Sequence, residues 1–189
     1  MTPDLLPSPP SDPPEESPMA ASPTRVPVAD VVRIARALAE LPWPVPVDAI
    51  TPQLAALGWR PVRPGMFTYV TGLGVTPDVA SASKARGELA TVSLNLVDRA
   101  DDASAERERF IQDTSGGYVL ALSEEFGPAT PAPFPRQHAE SSWDLDSGAR
   151  LTLTATPAMI TLAVDSPVMR AARRAAGRPE QAGGDAHAR

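Results

Sequence analysis

The stretch 140–167, ESSWDLDSGARLTLTATPAMITLAVDSP, decides the fold. Leu151 and Leu153 alternate with Thr152 and Thr154, and Ile160, Leu162 and Val164 alternate with Thr161, Ala163 and Asp165. A period of two puts one set of side chains on a dry face of a strand and the other on a wet face. Asp146-Ser147-Gly148 and Thr156-Pro157-Ala158 supply turns, so the stretch predicts three short strands in a meander. A meander of that size needs a helix or a further sheet face to cover it.

Upstream, residues 90–97 predict a strand with Val92, Leu94 and Leu96 on one face. Residues 67–75 predict another, weakened by Gly72 and Gly74, and residues 76–87 (TPDVASASKARG) read as a loop. Between residue 97 and the meander lies a long helix, capped by Asp101, Asp102 or Ser104 and stopped by Gly127-Pro128. Phe110, Ile111, Val119, Leu122 and Phe126 form its apolar stripe. Gly116-Gly117 in its middle costs about 1 kcal/mol per glycine relative to alanine, which suggests a kink or a close approach to a strand. Residues 128–139 read as a Pro-rich loop. Two helices precede the first strand. One is capped by Asp30, carries Val31, Ile34, Leu38 and Leu41 at helical spacing and ends at Pro42. The other is capped by Asp48 or Thr51 and stops at Gly58. Trp43, Trp59 and Trp143 are expected in the core, because an aromatic-poor domain needs their burial. A last helix starts with Ser166 as cap and Pro167 at its first position.

The order α-α-β-β-α-β-β-β-α predicts an α+β fold: a mainly antiparallel sheet of about five strands, with helices covering one face. The expected organisation is a disordered, acidic, Pro-rich tail over 1–28, one domain over 29–176 and a disordered tail over 177–189. Residues 1–28 hold nine prolines and carry a net −3 from four acids and one arginine. That composition offers too little apolar surface to offset ordering.

Charge and composition exclude several function classes. The chain of 189 residues has a net charge of −6. The acids concentrate in its body, which argues against a nucleic-acid backbone as partner. No cysteine is present, so disulfides, thiol catalysis and thiolate metal sites are excluded, and a cytoplasmic location is expected. No apolar run approaches the length of a membrane span. The two histidines, His138 and His187, form no metal-ligand pair. Asp101-Asp102 and Glu124-Glu125 are adjacent pairs that suit a cap and a wet helix face. Ser115-Gly116-Gly117 is not a nucleophile elbow, and Gly72-Leu73-Gly74 is too short for a dinucleotide loop. No catalytic residue, cofactor or metal is expected. The candidate binding residues are Arg170, Arg173 and Arg174, which share one helix face at i, i+3 and i+4. Arginines near a helix C-terminus also suit the helix dipole, with no ligand involved.

The ordered pieces resemble a known family. Leu41-Pro42-Trp43-Pro44, the helix closing on Leu57-Gly58-Trp59, and Thr71-Gly72-Leu73-Gly74 carry the resemblance. It continues through Glu125-Phe126-Gly127-Pro128, the strand around Trp143 and the Gly148–Leu153 segment. Over roughly residues 29–170 the chain is similar to an uncharacterised actinobacterial family, the domain of unknown function numbered 6301. The resemblance implies no catalytic residues. By analogy it points to a partner of another protein: an immunity protein bound to a toxin, or a chaperone for a type VII secretion substrate. The leading expectation is a non-enzymatic, cytoplasmic, protein-binding domain, with its partner surface on the exposed sheet face or around residues 76–87. The alternative is a small-molecule-binding domain, or an enzyme of unknown type, with a pocket between the long helix and the sheet.

Overall fold

The computed structural model describes residues 23–100, 104–131 and 139–176. The expected tails (but for residues 23–28), the cap candidates Asp101 and Asp102, and His138 and His187 lie outside those residues. Among the described residues four helices accompany one antiparallel sheet: α1 Val28–Ala39, α2 Ile50–Ala55, α3 Ala105–Phe126 and α4 Pro167–Ala176. The strands are β1 Arg60–Pro61, β2 Thr68–Val70, β3 Val79–Ala85, β4 Glu88–Asn95, β5 Thr130–Pro131, β6 Ala139–Asp144, β7 Arg150–Ala155 and β8 Ile160–Asp165. Their order across the sheet is β1-β2-β3-β4-β8-β7-β6-β5.

The α+β class and the meander of β6, β7 and β8 agree with the alternation in the sequence. The count of about five strands does not, because the sheet has eight. Two of the additional strands, β1 and β5, are two-residue edge pieces that each hold one neighbour. The third, β3, replaces most of the loop expected over 76–87. It pairs with β4 from Ala80↔Leu94 to Ala85↔Glu88, with a register shift between Ser83 and Lys84. Its sequence, VASASKA, alternates alanine with serine; side chains that small carry almost no hydrophobic period, and the strand is held by its backbone ladder with β4. The strand expected over 67–75 shortens to Thr68–Val70. Gly72 and Gly74 follow at positive φ in a loop, which the Asp78 carboxylate ties by accepting from Thr71 Oγ1 and from the amides of Gly72 and Leu73.

Local signals explain most helix ends. Ser104 Oγ accepts from the Arg107 amide at 3.1 Å and caps α3, while Gly127 at φ 86 stops it. Ser166 Oγ accepts from the Met169 amide at 3.1 Å and caps α4. Pro27 occupies the N-cap position of α1, so Asp30 falls in the first turn and pairs with Arg33 at 3.0 Å instead of capping. No side chain caps α2, whose N-cap is Ala49, so neither Asp48 nor Thr51 serves there.

The core lies between α1, α3 and one face of the sheet. Val31, Ile34, Ala35 and Leu38 of α1 belong to one buried cluster with Val92 and Leu94 of β4, Leu151 and Leu153 of β7, and Ile160, Leu162 and Val164 of β8. Trp59 and Trp143 are buried, whereas Trp43 is half-buried against the cluster. On α3 the inward side chains are Arg107, Ile111, Thr114, Tyr118 and Leu122. The Tyr118 hydroxyl donates to the Val26 carbonyl at 2.6 Å. The Val26 amide in turn donates to Leu96 O at 2.8 Å. Residues 24–26, expected in the tail, are thereby part of the domain, with Val26 fully buried. Bidentate hydrogen bonds of 2.8 and 2.7 Å from Arg36 to Glu125 join α1 to α3.

Candidate functional site

Helices α1 and α3 lie on one face of the sheet. The pairing register fixes what the other face displays. One row crosses seven strands: Thr68, Ser81, Ser93, Ala163, Thr152, Ser142 and Thr130, each opposite the next. A second row holds Asn95, Thr161, Thr154 and Glu140. Apart from Glu140 and Asn95, these are side chains of one to three heavy atoms, so the face has low relief and is rich in hydroxyls. The alternation in β4, β7 and β8 places these residues outward for the same reason that it places leucine and valine inward. Ser81 is exposed, Ser93, Thr152 and Ala163 are half-buried, and Ser142 is buried with its hydroxyl donating to Thr130 O at 3.3 Å.

The third row is charged: Thr91, Asp165, Arg150 and Asp144 in adjacent strands. Here the expected binding residues come to rest. Arg170 donates to Asp144 Oδ2 and, at 3.3 Å, to the Gly148 carbonyl. Arg174 stands 3.7 Å from the same carboxylate, and Arg150 is 2.8 Å from its other oxygen. Arg173 reaches Asp165 at 3.2 Å, and Asp165 also accepts from Thr91 Oγ1 at 2.8 Å. The structure therefore brings Arg170, Arg173 and Arg174 together, but onto two carboxylates of their own chain. Burial lowers the Arg170 guanidinium below its usual range; Asp144 opposes that, and Arg174 and Arg150 add to it. The shared helix face was visible in the sequence. The carboxylate partners were not, because they sit on strands whose register only the fold sets.

Two hollows among the described residues are of a size to note. One, of about 290 Å³, lies between α3 and strands β6 and β7, among Gln112, Ser115, Gly116, Val119, Ser141 and Leu153. Ser115 Oγ donates back to the Gln112 carbonyl at 3.1 Å. The other, of about 420 Å³, lies between the β3–β4 turn and α4. Among the described residues no group of three or more His, Asp or Glu side chains could hold a metal ion. No described helix is long and apolar enough to cross a membrane.

Two further polar groups, Arg107 and Asp98, tie segments of the fold together. Arg107 donates to the carbonyls of Asp98 and Ala158, the latter at 2.9 Å, and lies 5.2 Å from the centre of the Phe110 ring. The Asp98 carboxylate accepts from the amides of Thr24 at 2.8 Å and Thr76 at 2.7 Å. Burial raises its pKa, but those hydrogen bonds and the charge of Arg107 outweigh it and hold the group below the usual carboxylate range. No sequence pattern marks the contacts of Arg107 with Ala158 or of Asp98 with Thr24 and Thr76, since they join segments far apart in the chain. Glu125, expected on a wet helix face, is held below the usual carboxylate range by its hydrogen bond to Arg36.

No curated protein and no solved structure matches the chain. One family model does, over residues 29–166, which takes in every strand and helices α1 to α3 and stops before α4. The packing and turn residues that fix this sheet fall within that match, and the chain belongs to the family of unknown function DUF6301.

Proposed function

We propose that the protein is a non-enzymatic binding domain for another protein, and that the Ser/Thr/Ala face of the sheet is the docking surface. The observation that carries this is the row from Thr68 to Thr130. No described helix lies along it, and its small side chains let a partner's backbone come close over the width of the sheet. The occupant that fits best is a helix of the partner laid over this row, with small or hydroxyl-bearing side chains on its contact face. The partner's hydrogen-bonding groups would meet hydroxyls that both donate and accept. Residues 79–85 belong to this surface as part of the sheet, not as a separate loop. The immunity-protein or secretion-chaperone version, with a toxin or type VII secretion substrate as partner, follows the actinobacterial resemblance. A cytoplasmic location belongs to the same reading.

The test is a paired pull-down from the native host, using the full chain and its Ser93→Arg and Thr152→Arg variants. A protein retained in stoichiometric amount by the wild type and lost by both variants, with their thermal stability unchanged, supports the reading. A partner retained equally by all three refutes the assigned surface.

The second reading, a small-molecule site, is favoured by the hollow beside Gly116, which has apolar walls and three polar side chains, Gln112, Ser115 and Ser141. Its volume is at the lower end of ligand pockets. A ligand screen that finds compounds blocked by Val119→Trp would support it.

A further inference from the structure

We infer that α4 is a detachable latch, fastened to the charged end of the open sheet face chiefly by ion pairs. Of its described residues, Pro167, Met169 and Arg170 are half-buried, the rest are exposed, and Val168 is among the exposed large apolar residues. The hollow of about 420 Å³ runs along it, lined by Ala85, Arg86, Val168, Met169, Ala171 and Ala172, where a packed helix would have filled the space. What holds it is chiefly charge. Arg170 and Arg174 engage Asp144, and Arg173 engages Asp165.

The sheet is complete without α4. Strand β8 ends at Asp165, the Ser166 amide closes the ladder on Ala90 O at 2.8 Å, and the family match ends at residue 166. At ten residues the helix is too short to persist once released. Release therefore means melting, and a melted α4 leaves the face altogether.

Release has two effects at one place. It uncovers Asp165, now 4% exposed, together with Thr91 and the end of the charged row. It also frees Arg170, Arg173 and Arg174 to pair with carboxylates from elsewhere. That the uncovered end then takes part in docking rests on the function proposed above; the latch itself does not.

Hydrogen–deuterium exchange on the full chain tests the latch. Salt at about 1 M shortens the screening length to roughly 3 Å, against more than 10 Å at about 0.05 M. Three ion pairs of ordinary surface strength predict roughly tenfold faster exchange of the α4 amides at the higher salt, with β7 and β8 unchanged. Asp144→Asn, which removes the carboxylate shared by Arg170 and Arg174, is expected to speed α4 exchange already at low salt. A chain ended after Ser166 is expected to fold with a urea midpoint close to that of the full chain. The inference is overturned if α4 exchange responds to neither salt nor Asp144→Asn, if α4 opens only together with β7 and β8, or if the shortened chain fails to fold. Failure of the docking reading would appear elsewhere, as a partner indifferent to Thr152→Arg, with α4 exchange unaltered.

Discussion

Replacing Gly116 and Gly117 with alanine is expected to stabilise the protein by about 2 kcal/mol. Both glycines sit in the interior of α3, ten or so residues from either end, and an ideal Cβ built at either one meets nothing within 4 Å. Neither has the positive φ that would strain an alanine. The only terms left are backbone entropy and helix propensity, about 1 kcal/mol per glycine. For a chain of this size about 2 kcal/mol corresponds to a rise in Tm of roughly 4–8 °C. Thermal melts followed by circular dichroism, with urea titrations to check that the m value is unchanged, would measure it. Gly117 does not line the hollow whereas Gly116 does, so the two single variants form an internal comparison. Equal gains mean that propensity alone is at work. If neither variant gains stability, the helix is not regular there in solution and the reasoning fails. If both gain and Gly116→Ala alone abolishes a ligand's binding, the glycine is kept for the hollow.

Further outcomes follow from the hydrogen bonds of Tyr118 and Asp98. Tyr118→Phe removes the hydrogen bond to Val26 O and is expected to cost about 1–2 kcal/mol in urea unfolding. Burial pushes the Tyr118 hydroxyl up to about 12, against the opposing charge of Arg25. Its folded value then lies above the unfolded one, so stability begins to fall above roughly pH 10 and the loss is complete only beyond about 12. In the phenylalanine variant that alkaline loss should vanish, and the wild-type-minus-variant absorbance at the tyrosinate band should titrate near 12. Asp98→Ala strips the acceptor from two backbone amides and is expected to cost about 1–3 kcal/mol. Because the folded Asp98 value is lowered, its contribution is full above the unfolded value of about 4 and is lost as pH falls through the folded one; acid titration of the variant should lack that component.

The fold was legible where side-chain size carried a period. Leucine, valine and isoleucine alternate with threonine in β7 and β8, and both strands are where that alternation puts them. It was illegible in β3, where alanine and serine differ too little in hydrophobicity to mark a face. In α3 the helix, its Ser104 cap, its end at Phe126 and the inward Ile111 and Leu122 were legible, but the inward places of Arg107 and Thr114 were not, because polar side chains do not mark a stripe. Tyr118 was missed for the same reason, since its neighbours on the stripe do not announce it. Of the candidate site, the helical spacing gave the shared face of Arg170, Arg173 and Arg174. Its neutralisation by Asp144 and Asp165 is a matter of strand register, which no local pattern encodes. The hydroxyl face was present in the sequence as the wet half of each alternation. It becomes one surface only when β4 is placed beside β8.

That placement has a consequence of its own. Along the order β1-β2-β3-β4-β8-β7-β6-β5, every neighbouring pair is consecutive in the chain except β4 and β8. The sheet is thus two four-stranded halves, each formed from local pairings, zipped along the single line where Thr91 to Asn95 meet Asp165 to Thr161. Local contacts form before distant ones, because closing a long loop costs entropy that short loops do not. Each half is then free to assemble early, with the zip last. Until it closes, β4 and β8 both present bare edges, and a β8 from a second molecule matches β4 as well as its own does. The folding error that this strand order favours is an exchange of halves between two copies, which would keep the pairing of β4 with β8 and change which chain supplies each strand.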